Sequence, residues 1–106
     1  MPLSRDFRET VMEELRSPEY RRAFLCEAAG ALLRGDLETA KVSLRAYING
    51  TMGFTKAGAD LGRSPKGLMR MLGPNGNPQA RNLLQLVAYL QKAEGASWQV
   101  VDRAAA

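Results

Sequence analysis

Residues 54–72 read FTKAGADLGRSPKGLMRML and contain two short helical patterns on either side of Gly62. The spacing of the apolar residues predicts one helix over about 54–61 and a second over about 65–72. Gly62 tolerates the left-handed backbone conformation that a tight turn between two helices requires. Two short helices joined by such a turn are typical of a helix-turn-helix.

The apolar residues of the two patterns predict which faces turn toward the core. They are Ala57 and Leu61 in the first helix and Leu68, Met71 and Leu72 in the second. Gly58 lies where the two helices would cross, and its lack of a side chain lets their backbones approach. Ser64 and Pro65 predict the start of the second helix, because serine caps a free backbone N–H there and proline fits the first helical position.

The opposite side of the second helix is a candidate for contact with the base edges of DNA. Lys66 and Arg70 lie four residues apart on it, and each can pair with the two acceptors of guanine in the major groove. Recognition helices read bases mainly through their N-terminal residues. The candidates for base contact are Ser64, Pro65, Lys66, Gly67 and Arg70. Ser64 is also explained as a helix cap, and Gly67 as a residue of low helix propensity.

Six flanking residues are candidates for contact with DNA phosphates, which position a protein on the duplex without reading its sequence. They are Thr55, Lys56, Arg63, Asn75, Asn77 and Arg81. The two asparagines belong to the segment GPNGNP at 73–78, the clearest loop in the chain. A purely structural role as turn residues explains them equally well.

Charge is distributed unevenly along the chain. Residues 1–50 contain eight bases and eight acids, whereas residues 51–106 contain seven bases and three acids. Between Lys56 and Arg81, five bases accompany a single acid, Asp60, so this stretch carries the excess behind the net charge of +4. Such a concentration is expected of an electrostatic footprint for phosphate. The alternative is a solvated surface on a helical adaptor with no nucleic-acid role.

Helical patterns continue on both sides of the motif. They predict helices over about 5–16, 18–33, 37–48 and 79–93. Ser17-Pro18 and Gly35-Asp36 supply the caps and stops between the first three. The second helix is predicted to turn one apolar face inward, which contains Tyr20, Phe24, Ala28 and Leu32. Leu25 and Leu33 widen this face at its edges. A weak alternation of apolar and polar residues at 98–101 predicts a short extended segment.

These patterns predict an all-α protein of five to six helices. We divide it into an N-terminal helical extension (1–17), a helix-turn-helix DNA-binding domain (18–95) and a short C-terminal tail (96–106). The extension carries a stripe of Phe7, Val11 and Leu15 that would pack on the core, pair with a second subunit or cover a protein partner. Trp98 and Val100 would close either the core or a dimer interface.

Composition narrows the chemistry. At 106 residues the chain is one domain, and it contains no histidine, the commonest general base and metal ligand. Its one cysteine, Cys26, forms neither an internal disulfide nor a zinc site, which favours a reducing cytoplasm. No apolar run reaches the roughly 20 residues needed to cross a membrane. We therefore expect a cytoplasmic binding protein, not an enzyme, with no metal and no cofactor.

The segment from about Tyr20 to Gly95 resembles the addiction-module antidote family, bacterial antitoxins with a helix-turn-helix of the lambda-repressor/Cro type. Four pieces carry the resemblance, in order: YRRAFL at 20–25 with GDLE at 35–38, GFTKA at 53–57 with Leu61-Gly62, SPKGLMRML at 64–72, and GNP at 76–78 before a leucine-rich helix. Gly58 and Gln79 depart from the residues usual in the family, which has alanine at the first position and serine or threonine at the second.

The resemblance implies more than the residue patterns do. It implies a lambda-repressor-like domain that binds its own operator in double-stranded DNA as a homodimer, so that the protein is associated with the bacterial nucleoid when bound. It also implies that the protein represses its own operon and neutralises a small RelE/ParE-like protein toxin. The two departures leave room for a stand-alone regulator of a phage or mobile element that kept the domain without the toxin.

Overall fold

The computed structural model of the protein describes residues 3–104, with side chains from residue 9 onward. Within that range the chain forms six α-helices and no strand. The helices are α1 (Leu3–Glu14), α2 (Pro18–Leu33), α3 (Leu37–Gly50), α4 (Gly53–Leu61), α5 (Pro65–Met71) and α6 (Ala80–Glu94). The all-helical prediction is confirmed, and the weak alternation at 98–101 forms no strand. None of the helices in this range is long and apolar enough to span a membrane.

The predicted helix boundaries follow local capping chemistry. Ser17, Asp36 and Ser64 each accept a hydrogen bond at the start of a helix from the backbone N–H three residues later, at 3.5, 3.1 and 3.0 Å. Each satisfies one of the donors that a helix start leaves free. Two helices, α4 and α6, end at glycines with positive φ, Gly62 and Gly95.

One apolar core joins all six helices. Its fully buried members include Leu25 of α2, Leu44 and Ile48 of α3, Leu68 of α5, and Leu86 and Leu90 of α6. The prediction for α2 is wrong at one edge, because Leu33 is 74% exposed while Ala28 and Ala31 are buried. The stripe on α2 runs through Leu25, Ala28 and Ala31, and position 33 lies at the helix end, roughly 200° around the axis from position 31.

The N-terminal helix packs on the same core. Leu15, directly after α1, is buried, and Val11 packs against the core cluster. A Cβ at Gly50 would collide with the Leu15 side chain, so the end of α3 and this residue are in close contact. Of the three predicted roles for the stripe, packing on the core is the one observed for these two residues, and the side chain of Phe7 lies outside the described residues. Trp98 also packs against the core.

Two buried polar contacts connect segments that are far apart in the sequence. Lys41 of α3 is 2% exposed, and its Nζ donates to the carbonyl oxygen of Gly76 at 2.7 Å and pairs with Glu38 at 3.1 Å. Nearer the C-terminal end of α3, the Tyr47 hydroxyl donates to Glu94 of α6, which also accepts a hydrogen bond from Arg21 Nε at 2.9 Å. The first contact holds the loop after α5, and the second joins α2, α3 and α6.

Candidate nucleic-acid interface

α4 and α5 are joined by the tight turn that the sequence predicts. Gly62 ends α4 with φ 68° and ψ 35°, in the left-handed region. The N–H of Arg63 donates to the carbonyl oxygen of Gly58 at 2.8 Å, and Ser64 then begins α5. Three residues therefore separate two helices of nine and seven residues.

Gly58 is required where the turn folds back on α4. A Cβ built at this position would lie 2.6 Å from the carbonyl oxygen of Arg63 and 3.3 Å from the backbone nitrogen of Pro65. Both neighbours are backbone atoms, which cannot move without shifting the turn itself. Gly58 therefore allows a close backbone approach, but its neighbours are the turn and the first residue of α5 and not a crossing of the two helices.

α5 buries one side and exposes the other. Leu68 and Leu72 are buried in the core, and Met71 packs against it. Lys66 and Arg70 are both exposed. The apolar residues thus hold α5 against the protein while the two basic side chains extend into solvent.

Met69 adds an apolar side chain to the outward side of α5. It is 38% exposed and lies three residues after Lys66 and one before Arg70. It is not among the predicted contact residues, which are basic or lie at the start of the helix. The spacing from Lys66 was the available signal, since residues three apart share a helix face.

Ser64 and Gly67 form a local pair at the start of α5. The Ser64 hydroxyl oxygen accepts the hydrogen bond from the Gly67 N–H, and a Cβ at Gly67 would lie 2.8 Å from that oxygen. Glycine therefore lets the cap form without displacing the serine side chain. Both residues have a structural role here, and Pro65 occupies the first position of the helix.

The six flanking candidates for phosphate contact differ in exposure and in whether their side chains already have a partner within the protein. Thr55, Asn75, Asn77 and Arg81 are exposed. Lys56 is exposed but forms an ion pair with Asp60 at 3.1 Å. Arg63 is half-buried and donates from Nη2 to the side-chain oxygen of Asn82. Four of the six are available for phosphate as they stand, and the other two must exchange an internal partner.

The loop that carries Asn75 and Asn77 is fixed to the end of α5. A Cβ at Gly76 would collide with the carbonyl oxygens of Arg70 and Met71, so the loop backbone lies directly against the last turn. The ammonium group of Lys41 donates to the carbonyl oxygen of the same glycine. The loop therefore has a defined position relative to the exposed face of α5.

Asp60 and Tyr89 connect α4 to α6. The Tyr89 hydroxyl donates to Asp60 Oδ2 at 2.6 Å. That hydrogen bond, followed by the one from Lys56, lowers the pKa of Asp60 below its usual value. Burial and then the hydrogen bond to Asp60 raise the pKa of Tyr89 to about 12. Both shifts favour the protonation states that keep the contact at neutral pH.

Comparison with known proteins adds no relative: no protein-family model, no curated protein and no solved structure matches the chain. Among the side chains that the structure describes, no group of three or more Cys, Asp or Glu is placed to hold a metal ion. The functional interpretation therefore rests on the geometry of α4, the turn and α5.

Proposed function

We propose that the chain is a sequence-specific DNA-binding regulator that inserts α5 into the major groove. The observation that carries this proposal is the division of α5 into a side anchored by Leu68 and Leu72 and an outward side with Lys66, Met69 and Arg70. A helix that reads DNA needs both, because its register on the bases depends on a rigid attachment to the protein.

Each outward residue has a chemical counterpart on a base edge. Lys66 and Arg70 donate to acceptors such as the O6 and N7 of guanine, and Met69 offers the apolar contact that suits a thymine methyl group. Ser64, Pro65 and Gly67 lie at the start of the helix and approach the groove first. The exposed flanking residues Thr55, Asn75, Asn77 and Arg81 would contact phosphates, joined by Lys56 and Arg63 after they release their internal partners.

The architecture that we propose is a lambda-repressor-like domain formed by α2 to α6, with α1 as an extension packed on its core. Support comes from the element order and from the short α4 and α5 in the middle of a helical bundle. A homodimer on a two-fold operator fits this proposal, because helix-turn-helix proteins commonly bind paired half-sites.

The resemblance to the antidote family extends the proposal to cellular role: an antitoxin that represses its own operon and neutralises a RelE/ParE-like toxin. The alternative is a stand-alone regulator of a phage or mobile element. Co-expression with the product of the neighbouring gene distinguishes them. The antitoxin role predicts rescue of growth and co-purification of the two proteins, whereas a neighbour that is neither toxic nor bound supports the stand-alone regulator.

The DNA-binding proposal is tested by titrating the protein with DNA from upstream of its own gene. The double variant Lys66→Ala, Arg70→Ala should bind at least about 30-fold more weakly, since each good base contact contributes about 1–3 kcal/mol and about 1.4 kcal/mol is tenfold in affinity. The matched control is Arg22→Ala, Arg45→Ala, which removes two exposed bases from α2 and α3. Equal losses in both variants would contradict specific recognition by α5, and no binding by the wild type would favour the helical adaptor.

A further inference from the structure

A pocket of about 580 Å³ lies between α4 and α6 and shares only Lys56 with the residues that the DNA-binding proposal uses. It is lined by Tyr47 near the end of α3 and by the following residues Thr51 and Met52. Tyr89 and Ala93 contribute from α6, and Lys56 and Asp60 from α4. This volume lies within the range of pockets that hold small organic ligands, which are commonly lined by apolar and aromatic groups with a few polar ones.

Both carboxylates in the pocket already have their hydrogen-bond donors. Glu94, with its side chain 6% exposed, accepts from Arg21 and from Tyr47. Asp60 accepts from Lys56 and from Tyr89. Each negative charge is thus compensated by one cation and one hydroxyl, and both contacts fall on a single carboxylate oxygen, Oε1 of Glu94 and Oδ2 of Asp60.

The pocket lining contains hydrogen-bond donors that are not used within the protein. Lys92 is exposed at the pocket, and its side chain makes no ion pair or hydrogen bond with the described residues. Lys56 uses one of its three ammonium protons on Asp60. The lining therefore combines three cationic side chains with two compensated carboxylates, and it favours a ligand that brings acceptors and negative charge.

We propose that this pocket binds a small aromatic anion, with its carboxylate at Lys56 and Lys92 and its ring against Met52 and Tyr89. A thioether and an aromatic ring give favourable apolar contacts to a planar ring. The ammonium groups supply charge-assisted hydrogen bonds to the carboxylate, which are stronger than neutral ones. The proposal does not depend on DNA binding, because it uses only the geometry and the donors of the pocket.

Benzoate is the probe, and the neutral isostere benzamide is its control. Titration of the isotope-labelled full chain, followed by amide NMR at constant ionic strength, should give saturable shifts confined to the pocket: Arg21, Tyr47 and residues 51–60 and 89–94. Benzamide should bind at least about tenfold more weakly, because it lacks the charge. Shifts that do not saturate, that spread over the whole surface or that are equal for benzamide would overturn the proposal.

Two pocket variants locate the binding. Lys92→Gln and Lys56→Gln should each weaken benzoate about tenfold while Arg34→Gln, at the far end of α2, leaves the affinity unchanged. Amide spectra without ligand verify that each variant is folded. Wild-type affinity in both pocket variants would overturn the assignment. Because no DNA is present, a negative result here leaves the operator titration unaffected, and the reverse also holds.

Discussion

At the scale of single residues, Gly58 shows how one missing side chain shapes the motif. Its Cα faces the backbone of the turn, and a Cβ would lie 2.6 Å from the carbonyl oxygen of Arg63. Glycine costs roughly 1 kcal/mol of helix propensity relative to alanine, so its presence inside α4 has to be offset by this close approach. The turn and the start of α5 thus depend on a residue that is unfavourable for the helix that contains it.

Gly58→Ala should lower the free energy of unfolding by about 1–3 kcal/mol, because the new methyl group overpacks against backbone. The matched control is Gly30→Ala in α2, where the Cβ would meet only the end of the flexible Arg34 side chain, at 3.1 Å. That change should leave stability equal or raise it by up to about 1 kcal/mol. Urea unfolding measures both, and an equally stable Gly58→Ala protein would contradict the close approach.

The proposed contact between Met69 and a thymine methyl group can be tested by removing that methyl group from the DNA. If Met69 contacts a thymine methyl, replacing that thymine by uracil in the operator should weaken wild-type binding by about tenfold. Met69→Ala should bind the thymine site with a similar loss and show no further loss with uracil, since the contact is already absent. A uracil scan in which no position distinguishes the wild type from Met69→Ala would contradict this contact.

At the scale of elements, the position of the loop after α5 depends on Lys41 of α3. Its ammonium group is buried against the Gly76 carbonyl oxygen and is paired with Glu38. In the sequence Lys41 stands out only as one of the eight bases of residues 1–50, because its partner lies 35 residues away. Local periodicity predicts which residues of a helix face inward, but it does not identify the distant atom that a buried polar group meets.

Lys41→Met should keep the apolar part of the side chain and remove its hydrogen bonds to the loop. We expect a loss of about 1–3 kcal/mol in unfolding free energy and faster hydrogen exchange at Gly76, whose N–H bonds to the Gly73 carbonyl oxygen. Lys56→Met is the control, because an exposed ion pair contributes at most about 1 kcal/mol. Unchanged exchange in the loop would contradict the anchoring role.

The contacts of Tyr47 and Tyr89 with carboxylates predict a loss of stability in alkali. Burial and the neighbouring Glu94 raise the pKa of Tyr47 above its usual value, and the pKa of Tyr89 is raised to about 12. A raised pKa contributes stability that is complete below the unfolded value of about 10 and is lost as the pH rises through the folded value. Unfolding free energy should therefore fall above pH about 10.

The double variant Tyr47→Phe, Tyr89→Phe removes this contribution. Its unfolding free energy should fall less steeply above pH about 10 than that of the wild type. Tyrosinate absorbance of the folded wild type should show at least one tyrosine titrating near pH 12. A wild type in which all three tyrosines titrate near pH 10 would contradict the hydrogen bonds to Asp60 and Glu94.

At the scale of the whole molecule, local signals predicted the order of the helices and most of their ends. Ser17, Asp36 and Ser64 cap helices as expected, because capping depends on residues only three apart. The contacts that join the helices were not predicted: Arg21 meets Glu94 across 73 residues. The pocket between α4 and α6 depends on the same long-range packing and has no signature in the sequence.

For the candidate interface, too, local spacing was predictive and long-range contacts were not. Its outward basic pair and its inward leucines follow from helical spacing, and the structure places Lys66 and Arg70 on the exposed side of α5. Helical spacing did not predict the internal partners of Lys56 and Arg63. The four-residue spacing of Lys56 and Asp60 is nevertheless that of a common helix ion pair. The concentration of bases between Lys56 and Arg81 remains the whole-molecule feature that favours a polyanionic partner.

The central claim, that this molecule reads a DNA sequence, is tested most directly by one affinity ratio. The wild-type protein is titrated with its own upstream DNA and with a shuffled duplex of equal length and composition, at about 50 and about 200 mM salt. We predict a preference of at least about 1000-fold for the upstream DNA and weaker binding of both at the higher salt concentration. Equal affinity for the two duplexes, or no binding to either, would contradict the claim.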